Sequence, residues 1–331
     1  MEERKSTLRP ATAAEADTVL QLIRDRMAWM DRKGLCHWNS LDYLSIYPAS
    51  YFAALTEEGT LYVLEESGEI TAAAALLEQD ARWDAAGQED YYYVHHLVAK
   101  EGCHGAGTAL LRCAEELGRQ RGKRGIRMDS SADSAALSRY YEAQGYFALS
   151  TFTEGDYEGM RRVKYLDLPL AFRPANAADL EELWEIEGQC FPPHEMCQRE
   201  NFERRLEICP EHFLLLTQTD TGRICGFISD VYSAALELTD EMFTGSVHHE
   251  PAGENLMVLG LNVRPEYQKR GFASMLMRRR IAMARAEGLA RCVLTCHARL
   301  IHYYESFGYV CTGLSQSVWG GEEWYDMVLE L

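Results

Sequence analysis

The feature that most constrains this chain is that it repeats itself. LRPATAAEADTVLQLI at Leu8 to Ile23 resembles FRPANAADLEELWEI at Phe172 to Ile186, and YYEAQGY at Tyr140 to Tyr146 resembles YYESFGY at Tyr303 to Tyr309. A third pair lies between them: HGAGTALLRCAEE around Gly105 and RGFASMLMRRRIA around Gly271. The three landmarks keep their order at offsets of 163 to 166 residues. A solenoid would repeat at a period of roughly 20 to 50 residues, so this is duplication of a whole domain. The 331 residues divide into 1–169 and 170–331, just after the strand-like RRVKYLDL.

Each half has the same coarse plan. A helix opens it, over Asp17 to Met30 in the first half and Ala178 to Gln189 in the second, with Asn176 suited to the N-cap. β-rich runs follow (TLYVLEE and ITAAAALLEQ; HFLLLTQT and RICGFISDVY), separated by the turn signals Ser67-Gly68 and Asp220-Thr221-Gly222. A further strand, YYYVHHLVA or NLMVLGLNV, runs straight into a glycine loop and a helix that ends near Gly122 or Gly288, glycines suited to a left-handed C′ position. GIRMDS or RCVLTC, the YYE helix and terminal strands complete the unit. The expectation is an α/β fold in two tandem copies, each a mixed β-sheet flanked by helices.

Composition narrows the function. Lys and Arg number 33 against 51 Asp and Glu, a net charge of −18, which disfavours nucleic acid and anionic membranes as partners. The longest apolar run, Ile70 to Leu77, is too short to span a bilayer, and MEERKSTLRP lacks the apolar core of a signal peptide. Ten cysteines without CxxC spacing read as reduced thiols of a cytoplasmic protein, with no metal site expected.

The sharper motif is Val263-Arg264-Pro265-Glu266-Tyr267-Gln268-Lys269-Arg270-Gly271-Phe272-Ala273. It leaves a strand and opens a helix, where backbone N–H groups and the helix dipole hold phosphate. It is neither a P-loop nor a GxGxxG dinucleotide loop. Of the 14 basic residues in the second half, seven (Arg264, Lys269, Arg270, Arg278, Arg279, Arg280 and Arg285) crowd around it, against 24 acidic residues in that half. Such a concentration in an acidic domain points to a small polyanionic ligand, with a solvated helix face as the plainer reading of Arg278 to Arg280.

On these residues the chain resembles the GNAT superfamily of acetyl-CoA-dependent N-acetyltransferases, whose signature Q/R-x-x-G-x-G/A is met by Gln268-x-x-Gly271-x-Ala273. The resemblance implies that Gln268, Lys269, Arg270, Gly271, Phe272, Ala273 and Ser274 bind the CoA pyrophosphate. It also implies that Leu261, Asn262 and Val263 pair with the pantetheine arm beside a strand that splays away. The second half is similar to arylalkylamine N-acetyltransferases through Cys190-Phe191-Pro192-Pro193, CPEHFLLL, GFISD, ELTDEMF and LTCHARLIHYYESFGY. In the first half, Leu97, Val98, His104, Gly105, Ala106 and Gly107 take the matching places. There Gly102 replaces Gln/Arg and the segment after Val98 is shorter, the mark of a partly degenerate loop.

The resemblance makes Tyr304, and Tyr141 in the first half, proton donors to the departing thiolate. A tyrosine titrates near 10 and a thiol near 8.5, so donation is uphill by roughly 2 kcal/mol and must be concerted with loss of the amine proton. The base is open. Related vertebrate enzymes carry two histidines where this chain has Met257 and Leu259, leaving Glu254, His302 or a water chain. His248 and His249 read as loop residues, His297 as structural, and Cys296 as a buried thiol, not a nucleophile. Strand alternation sends His95 and His96 to opposite faces. Tyr91 to Tyr93 with Trp83 and Asp84 form either an aromatic acceptor pocket or strand packing.

The sequence thus predicts a cytoplasmic tandem acetyltransferase with acetyl-CoA as co-substrate and no metal. The second half is catalytic, and the acceptor is a small primary amine attacking directly. A homodimer is an open expectation. Two alternatives stand: action on an amino-sugar or thiol conjugate, and a non-catalytic acyl-CoA sensor or scaffold.

Overall fold

The computed structural model describes residues 6–83, 88–244 and 248–331. The readings above that fall on residues 1–5 and on Asp84 lie outside them. The chain forms two compact units, Met1–Phe147 with Thr151–Leu168, and Ala148–Ser150 with Pro169–Leu331. The sequence reading puts the divide one residue later and has no means of assigning Ala148–Ser150.

In the first unit the order is β1 (Ser6–Pro10), α1 (Ala16–Lys33), α2 (Tyr43–Ile46), α3 (Ala49–Glu57), β2 (Leu61–Glu66), β3 (Glu69–Leu77), β4 (Tyr91–Ala99), α4 (Ala106–Gln120), β5 (Gly125–Ser131), α5 (Ala135–Glu142), β6 (Phe147–Glu154) and β7 (Tyr157–Tyr165). In the second it is β8 (Leu170–Pro174), α6 (Leu180–Cys190), α7 (Arg199–Ile208), β9 (Phe213–Gln218), β10 (Ile224–Ser233), β11 (Asn255–Val263), α8 (Phe272–Glu287), β12 (Arg291–Cys296), α9 (Ile301–Glu305), β13 (Val310–Leu314) and β14 (Tyr325–Glu330). The strand orders, β1-β2-β3-β4-β5-β7-β6 and β8-β9-β10-β11-β12-β14-β13, are the same topology twice. Among the described residues no helix is long and apolar enough to cross a membrane.

The repeat begins with the same local chemistry. Arg9 grips the Glu15 carboxylate with two nitrogens, and that carboxylate accepts the Thr12 N–H. Arg173 grips Asp179 in the same way, and Asp179 accepts the Asn176 N–H. Each pair ties the first strand of its unit to the turn that starts the first helix. The Asn176 side chain caps that short turn, Ala177–Asp179, and α6 follows it, a little later than the spacing suggests. Ser67 and Gly68 both take positive φ (54° and 84°), as a type I′ hairpin between β2 and β3 requires. Gly122 and Gly288 end their helices left-handed.

Helices cover both faces of each sheet. In the first unit the alanine run of β3 serves both: Ala73 and Ala75 pack with α1 and α3, Ala72 and Ala74 with α4. The decisive feature lies at mid-sheet. β4 and β5 pair in parallel only from Tyr91↔Gly125 to Val94↔Met128, although β4 continues to Ala99 and β5 to Ser131. β11 and β12 pair only from Asn255↔Arg291 to Met257↔Val293 and then continue to Val263 and Cys296 without pairing to each other. Each sheet therefore opens into a gap with a free backbone edge. A bulge sits on the inner strand beside each gap, where Leu259 is the extra residue between Val258↔Asp230 and Gly260↔Ser229. Its counterpart falls between His95↔Ala75 and Val98↔Ala73. Bulges bend and twist a strand locally, which is what parting from a neighbour needs.

Candidate acyl-CoA and acceptor sites

In the second unit β11 delivers the chain to Arg264–Gly271 and α8. Gly271 is left-handed (φ 82°, ψ 8°), and no side chain caps the helix N-terminus. The opening amides of a helix have no intrahelical acceptor, so those of Ala273 and Ser274 are presented to a ligand, in the field of the helix dipole. Leu261, Asn262 and Val263 hold to β10 by one backbone edge, and the other faces the gap. The backbone positions named from sequence thus come together.

Their side chains do other work. The Gln268 Nε2 donates to the Val263 carbonyl at 3.1 Å, bracing the loop. Asn262 donates to Glu187 at 2.9 Å beneath the sheet, and Phe272 is core. The basic cluster needs correction. Arg264 is buried and spent on the Ile224 carbonyl, Glu185 and Glu182. Arg280 is buried and spent on Asp230 and Glu287. These two guanidiniums hold the unit together, so the local charge count overstates the phosphate site.

The α8 side of the gap holds Tyr304, on α9 and 8% exposed. Burial, with Tyr303 and Cys296 adding to it, raises its pKa well above the ordinary phenol, so the hydroxyl keeps its proton. Among the described residues that hydroxyl has no hydrogen-bond partner. The opposite face presents Met257 and Leu259 from β11 and Val293 from β12, clustered with Leu238, Met242, Phe243 and Trp319. Phe243 stacks on Trp319 at 5.2 Å. Just past β12, His297 Nε2 lies 3.3 Å from Glu195 Oε2, and its ring stacks on Trp324.

The other candidate bases fall away. Glu254 precedes β11 at the closed end of the ladder, and His302 has a 99% exposed side chain on α9. His249 is no free loop residue: it accepts the Tyr232 N–H and packs against His212. Cys296 is buried and its thiol is pushed up to about 11, so it is not a ready nucleophile.

The first unit repeats the cradle. Gly105 is left-handed (φ 86°), α4 is uncapped, and Leu97 and Val98 line the gap. The loop Lys100–Gly105 is shorter and spends the Cys103, His104 and Ala106 amides on itself. Gly107 lies against Tyr140, whose hydroxyl would stand 2.9 Å from a Cβ there. Tyr141 matches Tyr304: 8% exposed, its pKa raised by burial.

The histidine pair departs from strand alternation. His96 occupies the bulge with φ 56°, so both rings lie on one side, 5.9 Å apart. His96 is locked between the Tyr43 hydroxyl (2.5 Å) and the Tyr51 hydroxyl (3.1 Å), and burial lowers it to about 3. His95 Nε2 meets Asp80 at 3.0 Å. Tyr91, Tyr93 and Trp83 surround the Arg127 guanidinium, a cation–π stack in place of an open aromatic pocket.

Splayed parallel strands over a left-handed glycine and an uncapped helix recur in both units, each leaving a free backbone edge at its gap. The model of the acetyltransferase (GNAT) family matches residues 27–146 and again 180–309. The chain belongs to that family and is an acyltransferase with two tandem domains. It is 28% identical over 144 residues to an uncharacterized N-acetyltransferase, YesJ, of Bacillus subtilis (strain 168), covering 41% of this chain and 79% of that protein. A solved GNAT-family acetyltransferase of Streptococcus agalactiae is 18% identical at TM-score 0.42, over 48% of this chain and 95% of that one. The PaiA N-acetyltransferase of Thermoplasma acidophilum, solved with coenzyme A, is 12% identical at TM-score 0.40, over 49% and 99%.

Proposed function

We propose that the chain transfers acetyl from acetyl-CoA directly to a small primary amine, and that the second unit takes an apolar one, an aryl- or alkylamine. The observation that carries this is the apolar face of Met257, Leu259, Phe243 and Trp319 beside the gap, with buried Tyr304 on the gap's other side. Leu261, Asn262 and Val263 would hold the pantetheine arm by backbone, and Lys269 to Ser274 the pyrophosphate. The bound thioester supplies an activated acyl carbon.

The chain's residues handle the protons. His297, paired with Glu195, takes one from the incoming ammonium at the mouth of the gap. Asp326 lies on β14 opposite Thr295, 8% exposed, with one carboxylate oxygen unpartnered, and adds negative charge to that side. Tyr304 gives its proton to the leaving sulfur, and the second proton that the nitrogen sheds as the amide forms restores the phenol through solvent. Thiols free along the whole chain support a reducing, cytoplasmic setting. The test is release of CoA thiol from acetyl-CoA across arylalkylamines such as phenethylamine and tryptamine. Turnover that rises with the apolar area of the amine is expected, and none on any amine overturns the reading in favour of a non-catalytic acyl-CoA binder.

A further inference from the structure

The duplication supplies an internal control. With the first rungs of the two ladders aligned (Tyr91↔Gly125 and Asn255↔Arg291), His95 stands where the second unit has Leu259, Arg127 where it has Val293, and Asp129 where it has Thr295. The second unit builds the same sheet with apolar groups at two of these places and an uncharged one at the third, so packing does not call for ionisable ones. Burying charge without a use is costly.

These groups are arranged and not scattered. Asp80, His95 and Asp129 bring one ligating atom each within 4.8 Å of one another, from a loop and from both strands flanking the gap. Arg82 already supplies the positive charge to Asp129, at 3.3 Å, and reaches Glu154. Asp129 also accepts the Tyr157 hydroxyl at 2.8 Å. Burial drives the Asp80 carboxyl up, but the hydrogen bonds from His95 and the Arg82 N–H, with the Arg82 charge, more than offset this and hold it below its ordinary value. In the neutral tautomer whose Nε2–H donates to Asp80, His95 Nδ1 carries the lone pair, the form that a general base needs.

The other side of the gap differs as well. Arg162 on β7 is 1% exposed and lies 5.8 Å from the Tyr141 ring centroid. It donates to Ser130 and Ser138, yet its Nη1 has no hydrogen-bond acceptor, the Glu142 carboxylate standing off at 3.9 Å. The matching rung of the second unit, Leu294↔Met327, carries a methionine in its place. A buried guanidinium with an unused N–H beside the proton-donating tyrosine suits a site where negative charge develops.

We infer that the first unit is a second acyl-transfer site, whose acceptor is a small hydroxylated primary amine unlike the apolar acceptor of the second unit. The amine nitrogen bonds to the thioester carbonyl carbon as the C–S bond breaks. The nitrogen's proton passes to His95 Nδ1, the sulfur takes the Tyr141 proton, and Tyr141 recovers one from solvent as His95 releases its own. Asp129 and the Tyr157 hydroxyl meet the acceptor's hydroxyl groups, and Arg82 orients Asp129.

The test uses the full chain. Calorimetry with acetyl-CoA should give two bound molecules per chain, and one would overturn the inference whatever the kinetics. The ratio of turnover on hydroxylated amines (ethanolamine, serinol, glucosamine) to turnover on phenethylamine is then read in two variants. His95→Gln should lower it about a hundredfold, the range of a lost general base, and Tyr304→Phe should raise it. A ratio unmoved by His95→Gln, or hydroxylated-amine turnover that Tyr304→Phe abolishes, overturns it. Loss of phenethylamine turnover alone in Tyr304→Phe is the separate result belonging to the second unit.

Discussion

Replacing Tyr304 by Phe separates a catalytic hydroxyl from a packing ring. The ring lies against Tyr303 at 5.1 Å and Tyr309 at 6.0 Å, contacts that phenylalanine keeps. The hydroxyl that is lost has no partner among the described residues, so folding should change by less than about 1 kcal/mol. As proton donor it contributes about 10²–10⁴ in rate, or about 3–5 kcal/mol of barrier. Thiol release on phenethylamine should therefore show kcat down at least about a hundredfold, with KM for acetyl-CoA within about threefold because the Gly271 loop is untouched. Because burial raises the phenol's pKa, the native enzyme should hold its rate on the alkaline side up to at least about pH 10. A kcat loss below about fivefold at unchanged thermal stability would refute the acid role. A fall in stability with a parallel rise in KM would make Tyr304 a packing residue.

Trp319→Ala removes one wall of the apolar acceptor face and should raise KM for tryptamine about tenfold or more while sparing that for acetyl-CoA. Asp230→Asn strips the buried partner from Arg280 (2.7 Å) and His212 (2.6 Å) and should cost about 3–5 kcal/mol in urea unfolding. Burial alone would raise the Asp230 pKa, but Arg280 and His212 outweigh it and hold the carboxyl low. Its stabilisation is thus complete above the unfolded value of about 4 and lost as pH falls through the lower folded value, and acid titration of the variant should lack that step. His96, lowered to about 3 by burial, leaves the unfolded chain to bind the proton first. Stability should drop by on the order of a few kcal/mol as pH falls from about 6.5 toward 3. His96→Asn, whose side chain tolerates the left-handed backbone, should flatten that slope.

The duplication, the order of helices and strands within each copy, the turn glycines and the glycine loop that opens a helix in each copy were legible because each depends on spacing or on a residue needing a special φ. Partners were not. Arg264 and Arg280 sit beside the loop in sequence, but their acids Glu182, Glu185 and Asp230 come from other elements, so a local count set Arg264 toward a ligand and Arg280 toward a ligand or solvent. The His95–His96 pair escaped for another reason. Alternation holds only for a regular strand, and the bulge with φ 56° at His96 turns both rings to one face. Glu195 gave no signal, since its pairing with His297 spans 102 residues.

The bulges beside the two gaps also bear on how such a chain diversifies. The proposed cradle uses main-chain groups, whereas the neighbouring side chains, Leu259 in one copy and His95 in the other, are free of that duty. A gene carrying two copies can hold one chemistry fixed while the other drifts toward a new acceptor. On the proposed reading the same separation offers a socket for engineering: exchange of Leu259, Val293 and Thr295 as a set should change the acceptor and leave acetyl-CoA affinity unchanged.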